Sequence, residues 1–300
     1  MVNALTILAG RWQDYLALCK PKIVALIVFT ALVGMLLSSP GVLPLNQVII
    51  GCFGIWLAAS SAAVINQVVD QKIDSEMVRT RSRPLVQGNI TTQSAILFAF
   101  VLCAASMLIL TFYVNLLTAV LTLFSLIGYG FIYSMFLKRA TPQNIVIGGI
   151  AGAAPPVLGW TAITNSLDPQ SLLLFLIIFA WTPPHFWSLA IYRRKDYAKV
   201  KIPMLPITHG VEFTRHYILL YSVVLFLVSL LPFITMMSGP VYLVGAVILG
   251  LLFLYHAVGM QKDHSDSRAI RMFSYSVVYL AALFTFLILD HYMPFLLRLL

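Results

Sequence analysis

Residues 48–74 read VIIGCFGIWLAASSAAVINQVVDQKID, an apolar segment that ends in a short polar motif. No Asp, Glu, Lys or Arg occurs from Ile23 to Val69. About 20 consecutive apolar residues suffice for a helix to cross the hydrocarbon core of a bilayer. The segment is therefore predicted to span a membrane, with its polar end at the membrane surface.

The rest of the chain repeats this pattern. It is 60% hydrophobic and only 10% charged, whereas a soluble domain carries about 25% charged residues. The strict alternation that is typical of membrane β-barrels is absent. We therefore expect an all-α polytopic membrane protein with nine transmembrane helices. The predicted spans lie at about 22–39, 48–68, 92–113, 115–136, 143–163, 170–191, 216–236, 241–260 and 272–293.

The basic residues predict how these spans are oriented. Eighteen of the 19 Lys and Arg residues fall before the first span or in alternate loops, and Arg298 alone falls on the other side. Short loops rich in Lys and Arg face the cytoplasm, so the N-terminus is expected inside and the C-terminus outside. The net charge of +9 then requires no nucleic-acid partner, because anionic lipid and phosphorylated substrates explain it.

No hydrophilic linker divides the chain, so residues 1–300 are interpreted as one domain. The two long polar loops, at 70–91 and 193–215, each follow an even-numbered span and lie four spans apart. This offset indicates two weakly similar parallel halves, about 1–140 and 141–300, a common arrangement in membrane proteins.

The polar end of the opening segment is the first candidate site. Asn66, Asp70 and Asp74 are spaced i, i+4, i+8, which places them on one face of a continuing helix. Their oxygens are the kind of ligand that Mg²⁺ prefers, although a solvated helix end would show the same spacing. Arg79 and Arg83 follow closely and can bind phosphate oxygens bidentately. Together they indicate a site for a metal ion and a polyphosphate.

The second polar loop is the other candidate. Residues 193–206 read RRKDYAKVKIPMLP, so Asp196 is a single acid among basic residues. Its carboxylate is a potential metal ligand, and Lys199 is a potential phosphate partner as a point charge. Some of these basic residues are expected to serve only membrane topology.

The two loops resemble those of a known family. Asn-x3-Asp-x3-Asp with Arg-Thr-x2-Arg-Pro after it (residues 66–84) resembles the first motif of the intramembrane aromatic prenyltransferases, the UbiA superfamily. The run TPPHFW (residues 182–187), with Asp-Tyr and IPMLP farther on, resembles the branch that farnesylates haem. The resemblance extends over almost the whole chain and implies a UbiA-like helix bundle.

The resemblance also implies a reaction, in which farnesyl diphosphate and protohaem IX give haem O and diphosphate. It implies catalytic roles for Asp70, Asp74 and Asp196. The Mg²⁺ ligands would be Asn66, Asp70, Asp74 and Asp196, and the diphosphate-binding residues would be Arg79, Arg83 and Lys199. Many superfamily members carry a second Asp-x3-Asp motif, but Val200 stands at that position here. A second metal ion is therefore in question.

Candidate haem contacts are His185, which lies within a predicted span, and His209, which follows the second loop. Imidazole ligates haem iron, and an ionisable residue within a membrane is usually functional. A membrane histidine can also simply hydrogen-bond a neighbouring helix, so both interpretations of His185 stay open.

The resemblance further implies a location in the bacterial cytoplasmic (inner) membrane, surrounded by lipid, with the active site facing the cytoplasm. Assembly of a haem-copper oxidase or a haem A synthase would use the product. One alternative is a related prenyltransferase with another aromatic acceptor, such as a quinone precursor. Another is a secondary transporter, which usually places its ionisable residues near the bilayer midplane; here the acids cluster at the ends of spans.

Overall fold

The computed structural model describes residues 12–39, 41 and 43–297, and its regular elements in these ranges are all helices. Met1–Arg11 and Arg298, which enter the topology prediction, lie outside the described residues. The helices are α1 (Trp12–Leu18), α2 (Pro21–Leu37), α3 (Leu45–Glu76), α4 (Thr92–Tyr113), α5 (Leu116–Ala140), α6 (Asn144–Thr164), α7 (Pro169–Tyr192), α8 (Arg194–Lys199), α9 (Leu205–Thr208), α10 (Val211–Ile234), α11 (Pro240–Lys262) and α12 (Asp266–Leu297).

Eight of the described helices are long and apolar enough to cross a membrane. A ninth crossing is obtained if α1 and α2, which meet at an angle of 53°, form one broken span. Lys20 lies at this break with a left-handed backbone (φ 51°), and Pro21 then begins α2. The predicted all-α architecture is confirmed. The orientation of the chain and its division into two halves remain predictions.

Helix α3 carries the acid motif and is longer than its apolar segment alone. Its 32 residues continue without interruption through Asp74 to Glu76, as the spacing of the polar residues predicted. Small residues and hydroxyls let α4 pack tightly against it. Ser61 Oγ donates to the Ala99 carbonyl at 2.8 Å, and Ser106 Oγ donates to the Gly54 carbonyl at 2.7 Å. These bonds fix the rotation of α3 and thus the direction of its polar face.

Helices α5 and α6 both depart from regular α-helical geometry. The second part of α5, Gly128–Leu137, is π-helical, a form that is found most often near functional sites. Helix α6 is interrupted at Ala154, before Pro155, because proline lacks the amide hydrogen that the helix needs. Both irregularities are internal to predicted spans, and neither was expected from the sequence.

The first and last membrane helices are joined at one end. His291 Nε2 lies 2.9 Å from the Ser39 carbonyl oxygen, and the Tyr292 hydroxyl donates to the Leu36 carbonyl at 3.1 Å. Nearby, the buried Asp290 carboxylate accepts hydrogen bonds from the backbone amides of Gly239 and Tyr242, where α11 begins. It thereby caps a helix that belongs to a neighbouring part of the bundle.

Candidate functional site

The three residues of the acid motif share one face of α3, as their spacing predicted. Asn66, Asp70 and Asp74 are all buried, at 5%, 2% and 4% exposure. The Asn66 amide donates to Asp70 Oδ2 at 3.0 Å. Burying carboxylates is costly unless they are paired or hydrogen-bonded, so this face requires partners of opposite charge.

Those partners come from three separate parts of the chain. Lys20 Nζ donates to Asn66 Oδ1 at 2.6 Å, and Lys138 Nζ donates to Asp70 Oδ2 at 2.6 Å. The Arg83 guanidinium forms an ion pair with Asp74. The two carboxylates are thus matched by Arg83 and Lys138, and Lys20 adds a third basic group, an arrangement suited to an anionic ligand.

The acid face, which is the side of α3 that carries Asn66, Asp70 and Asp74, also fits a divalent metal ion. Asp70 Oδ1 is buried and has no hydrogen-bond partner among the described residues, so one carboxylate lone-pair site is open for a ligand. Oxygen donors of this kind are those that Mg²⁺ takes, with water and phosphate completing its shell. In the described part of the chain, no three His, Cys, Asp or Glu side chains converge closely enough to hold a metal by themselves. A metal ion at this face would therefore need further oxygen ligands, such as an amide oxygen or substrate oxygens.

The second polar loop is arranged differently. It folds into the short helices α8 and α9. Asp196 on α8 forms a 3.4 Å ion pair with Arg193, and Lys199 is exposed. Val200 packs against the main hydrophobic core, which explains why an apolar residue fits that position. The predicted metal role of Asp196 and phosphate role of Lys199 stay predictions.

One tyrosine connects the two candidate loops. Burial raises the pKa of the Tyr197 hydroxyl, while the positive charges of Arg79 and Arg193 oppose the shift and the negative charges of Asp196 and Asp70 add to it. Charges from both loops therefore act on a single hydroxyl. Arg79 is exposed, and its charge acts on the same hydroxyl as that of Asp70.

The two candidate haem-contacting histidines have contrasting environments. His185 is buried in α7, with its ring stacked between Trp181 at 4.1 Å and Phe273 at 4.6 Å. Its Nδ1 lies 2.7 Å from Ser276 Oγ, so Nε2 is the nitrogen left for another partner. His209 is exposed, and its Nδ1 lies 2.8 Å from the hydroxyl of Thr208. The structure does not bring these two residues together.

Lys20 and Lys138 were not predicted as site residues. Both were counted only among the basic residues that orient the membrane spans. Lys138 follows an apolar run and Lys20 lies just before one, but other basic residues near the ends of spans share this position, so it gives no distinct signal. Ser134, whose Oγ accepts from the Asn66 amide at 3.0 Å, was also missed, because a lone serine in an apolar helix gives no distinct pattern.

Comparison with known proteins agrees with this geometry. The sequence profile of the UbiA prenyltransferase family matches residues 27–287. The protoheme IX farnesyltransferase of Hahella chejuensis is 56% identical over 97% of this chain and 98% of its own length. That of Nitrosococcus oceani is 55% identical over 98% of this chain and 99% of its own length.

Solved structures show the same fold. A digeranylgeranylglyceryl phosphate synthase superposes with a TM-score of 0.79 at 20% identity, covering 94% of this chain and 99% of that one. A UbiA homologue from Archaeoglobus fulgidus bound to GPP and Mg²⁺ superposes with a TM-score of 0.60 at 17% identity, covering 91% of this chain and 99% of its own.

Proposed function

Because the chain belongs to the UbiA prenyltransferase family, we propose that it transfers the farnesyl group of farnesyl diphosphate to a vinyl group of protohaem IX, giving haem O and diphosphate. The observation that carries the proposal is the buried acid face of α3 with its three basic neighbours, Lys20, Arg83 and Lys138. Such a site suits a reaction in which a diphosphate leaves with two electrons. The relatives named protoheme IX farnesyltransferase support the choice of donor and acceptor.

The chemistry follows from where charge develops. As the allylic C–O bond breaks, the electron pair stays with the diphosphate, and fixed cations stabilise that charge in the transition state. Arg83, Lys20 and Lys138 are already held at the acid face, and Arg79 and Lys199 are proposed to join them. The allylic cation is then attacked by the haem vinyl carbon. Water adds to the resulting cation and loses a proton, which leaves a hydroxyl group on the new chain.

We propose that the residues holding Mg²⁺ are Asn66, Asp70 and Asp74, with Asp196 as the ligand from the second loop. When bound, the ion supplies positive charge to the oxygens of the leaving diphosphate. The unpartnered, buried Asp70 Oδ1 supports this assignment. Asp70 and Asp74 lie on one uninterrupted helix, which fixes the positions of their carboxylate oxygens.

The protohaem acceptor is proposed to contact His185. Its neighbours Trp181 and Phe273 make its surroundings aromatic and apolar, and its Nε2 is left for a partner because Nδ1 lies beside Ser276. His209 is a second proposed haem contact, nearer the second loop. An apolar acceptor site also protects the allylic cation from early capture by water.

The chain is an integral membrane protein, as its long apolar helices and its family indicate. We propose that it resides in the bacterial inner membrane with the acid face toward the cytoplasm. The 18-to-1 distribution of basic residues supports this orientation. Haem-copper oxidase assembly or a haem A synthase is the proposed consumer of its product.

The test is reconstitution. The purified full chain in lipid nanodiscs should convert farnesyl diphosphate and protohaem IX to haem O, detected by mass spectrometry. EDTA should stop the reaction, and added Mg²⁺ should restore it. Product from 4-hydroxybenzoate instead of haem would favour a quinone-precursor acceptor. No prenylated product with either acceptor, in protein that is folded and binds Mg²⁺, would overturn the proposal.

A further inference from the structure

Helix α3 carries a second polar stripe beside its acid face. Gln67 and Gln71 are spaced i, i+4 and therefore share one side of the helix. Each follows a member of the acid motif by one residue, which is about 100° round a helix of 3.6 residues per turn. Gln67 is 2% exposed and Gln71 is half-buried. This side of α3, which carries the two glutamines, is the glutamine face.

Gln67 holds the chain at the break between α1 and α2. Its Nε2 donates to the Leu18 carbonyl at 2.7 Å. Leu18 ends α1, and the last carbonyls of a helix lack partners within it. Lys20 follows two residues later and donates to Asn66 Oδ1 at 2.6 Å. The segment that carries Lys20 is thus attached to α3 twice, by its backbone on the glutamine face and by its side chain on the acid face.

Gln71 holds the first polar loop in the same way. Its Nε2 donates to the Leu85 carbonyl at 3.0 Å, and its Oε1 accepts from the Thr92 hydroxyl at 3.1 Å. Because both ends of the amide have partners, its orientation is fixed. Arg83 lies two residues before Leu85 and pairs with Asp74 on the acid face. This segment is therefore also attached to α3 at two points.

The two attached segments share one hydrophobic anchor. The side chains of Leu18 and Leu85 are 0% and 2% exposed, and both belong to a buried cluster that includes Val64 of α3. Lys138 arrives differently, on the end of α5, where Ser134 contacts the acid face directly. The glutamine face therefore supports two of the three basic neighbours of the acid face, and the third is held independently.

Packing alone does not explain a glutamine at position 67. Its Oε1 is buried without a hydrogen-bond partner among the described residues, and a buried polar atom that stays unpaired is costly. A methionine of similar size would fill the same space without that cost. What the glutamine adds is its bond to the Leu18 carbonyl, so its contribution is to place the segment that carries Lys20.

We propose that Gln67 and Gln71 are positioning residues for the reaction, an inference that rests on the proposed function. Gln67 places Lys20, and Gln71 places Arg83, where these cations meet the leaving diphosphate. Neither glutamine touches the substrate. Each fixes a backbone carbonyl two residues from its cation, so the cation is held in place before the anion arrives and less ordering is needed on binding.

The test measures binding of inorganic pyrophosphate to the full chain in lipid nanodiscs, by isothermal titration calorimetry with Mg²⁺ present. Gln67→Met removes the bond to the Leu18 carbonyl and keeps the size of the side chain. It should weaken binding about fivefold, within the range for hydrogen bonds between membrane helices. Gln47→Met, which replaces an exposed glutamine at the other end of α3, should change binding less than about twofold.

The decisive comparison uses the cation that each glutamine places. In a Lys20→Met background, Gln67→Met should change binding less than about twofold, because the side chain that it positions is already gone. In a Lys138→Met background it should keep its full effect, because Lys138 reaches the acid face from α5. Gln71→Met should weaken wild-type binding about threefold, and this effect should disappear in an Arg83→Met background.

An equal effect of Gln67→Met in the wild type and in the Lys20→Met background would overturn the proposal, since the glutamine would then act on the bundle as a whole. Wild-type binding by both glutamine variants would also overturn it. If Gln67→Met fails to fold, as judged by size-exclusion chromatography, the cycle of Gln71 with Arg83 decides. A wild-type chain that binds no pyrophosphate would contradict the diphosphate site itself, whereas normal wild-type binding with additive variants would contradict only the role of the glutamines.

Discussion

The acid face of α3 and the second polar loop carry similar residue types but hold them differently. Asp70 and Asp74 are buried and paired with Lys138 of α5 and with Arg83 of the loop that follows α3. Asp196 has a single, longer contact with Arg193, its neighbour three residues earlier, and Lys199 is exposed. The first region is therefore organised before any ligand arrives. The second is free to rearrange around a ligand, so substitutions in the first region should lower activity more than substitutions in the second.

The largest effect is expected from Asp70→Asn. The substitution keeps the shape of the side chain but removes the charge that pairs with Lys138 and faces the proposed metal. It should abolish haem O formation, a loss of more than about 10³-fold in kcat. Turnover with purified protein and saturating Mg²⁺ measures this. Asp263→Asn, which removes a partly exposed acid that pairs with Arg268 between α11 and α12, should remain active; wild-type turnover by Asp70→Asn would disprove the acid-face role.

Asp196→Asn should be the next most damaging change. If the second loop contributes one metal ligand, losing about 3–4 kcal/mol of transition-state stabilisation lowers kcat by roughly 10²–10³. Haem binding, followed by absorbance, should be nearly unchanged. A fully active variant would show that the first region works alone and that Asp196 is an ordinary loop acid paired with Arg193.

Replacing one lysine in each region should raise KM for farnesyl diphosphate by different amounts. Lys138→Ala removes a buried, charge-assisted hydrogen bond, worth about 1.5–3 kcal/mol, and should raise KM at least tenfold. Lys199→Ala removes an exposed charge and should raise KM by less than about fivefold. Initial rates over a range of donor concentrations give both values. The reverse ranking would mean that the second loop is the principal diphosphate contact.

The smallest effects are expected at the histidines. His185→Phe retains the aromatic stack with Trp181 and removes the ring nitrogens, so it should raise KM for protohaem about fivefold with little change for farnesyl diphosphate. His209→Ala, at an exposed position, should change either value less than twofold. Steady-state rates at varied haem concentration test the pair. Equal KM for protohaem in His185→Phe and the wild type would remove His185 from the acceptor site.

Local periodicity accounts for what the sequence predicted well. Asn66, Asp70 and Asp74 belong to one helix, so their spacing alone predicts that they share a face. Helix α3 continues through all three. The spans themselves follow from runs of apolar residues, since the length of a crossing helix is set by the bilayer.

What the sequence did not reveal depends on long-range packing. Lys20 and Lys138 lie 46 and 68 residues from their partners in the chain. No local pattern distinguishes them from cations that only orient the spans. The π-helical segment of α5 is likewise not predictable from the sequence, because a local shift to i→i+5 hydrogen bonds does not change the pattern of an almost uniformly apolar helix. The break in α6 was not predicted either, although Pro155, which causes it, is visible in the sequence.

The Asp290 carboxylate that caps α11 has a consequence for biogenesis. The amides of Gly239 and Tyr242 become available when α11 is synthesised, yet their acceptor arrives only with the following helix. Unsatisfied backbone donors are costly at a membrane, so the earlier helix is completed by the later one. A chain that lacks α12 would therefore leave the first turn of α11 without this cap, so α11 should become fully stable only after α12 has packed beside it.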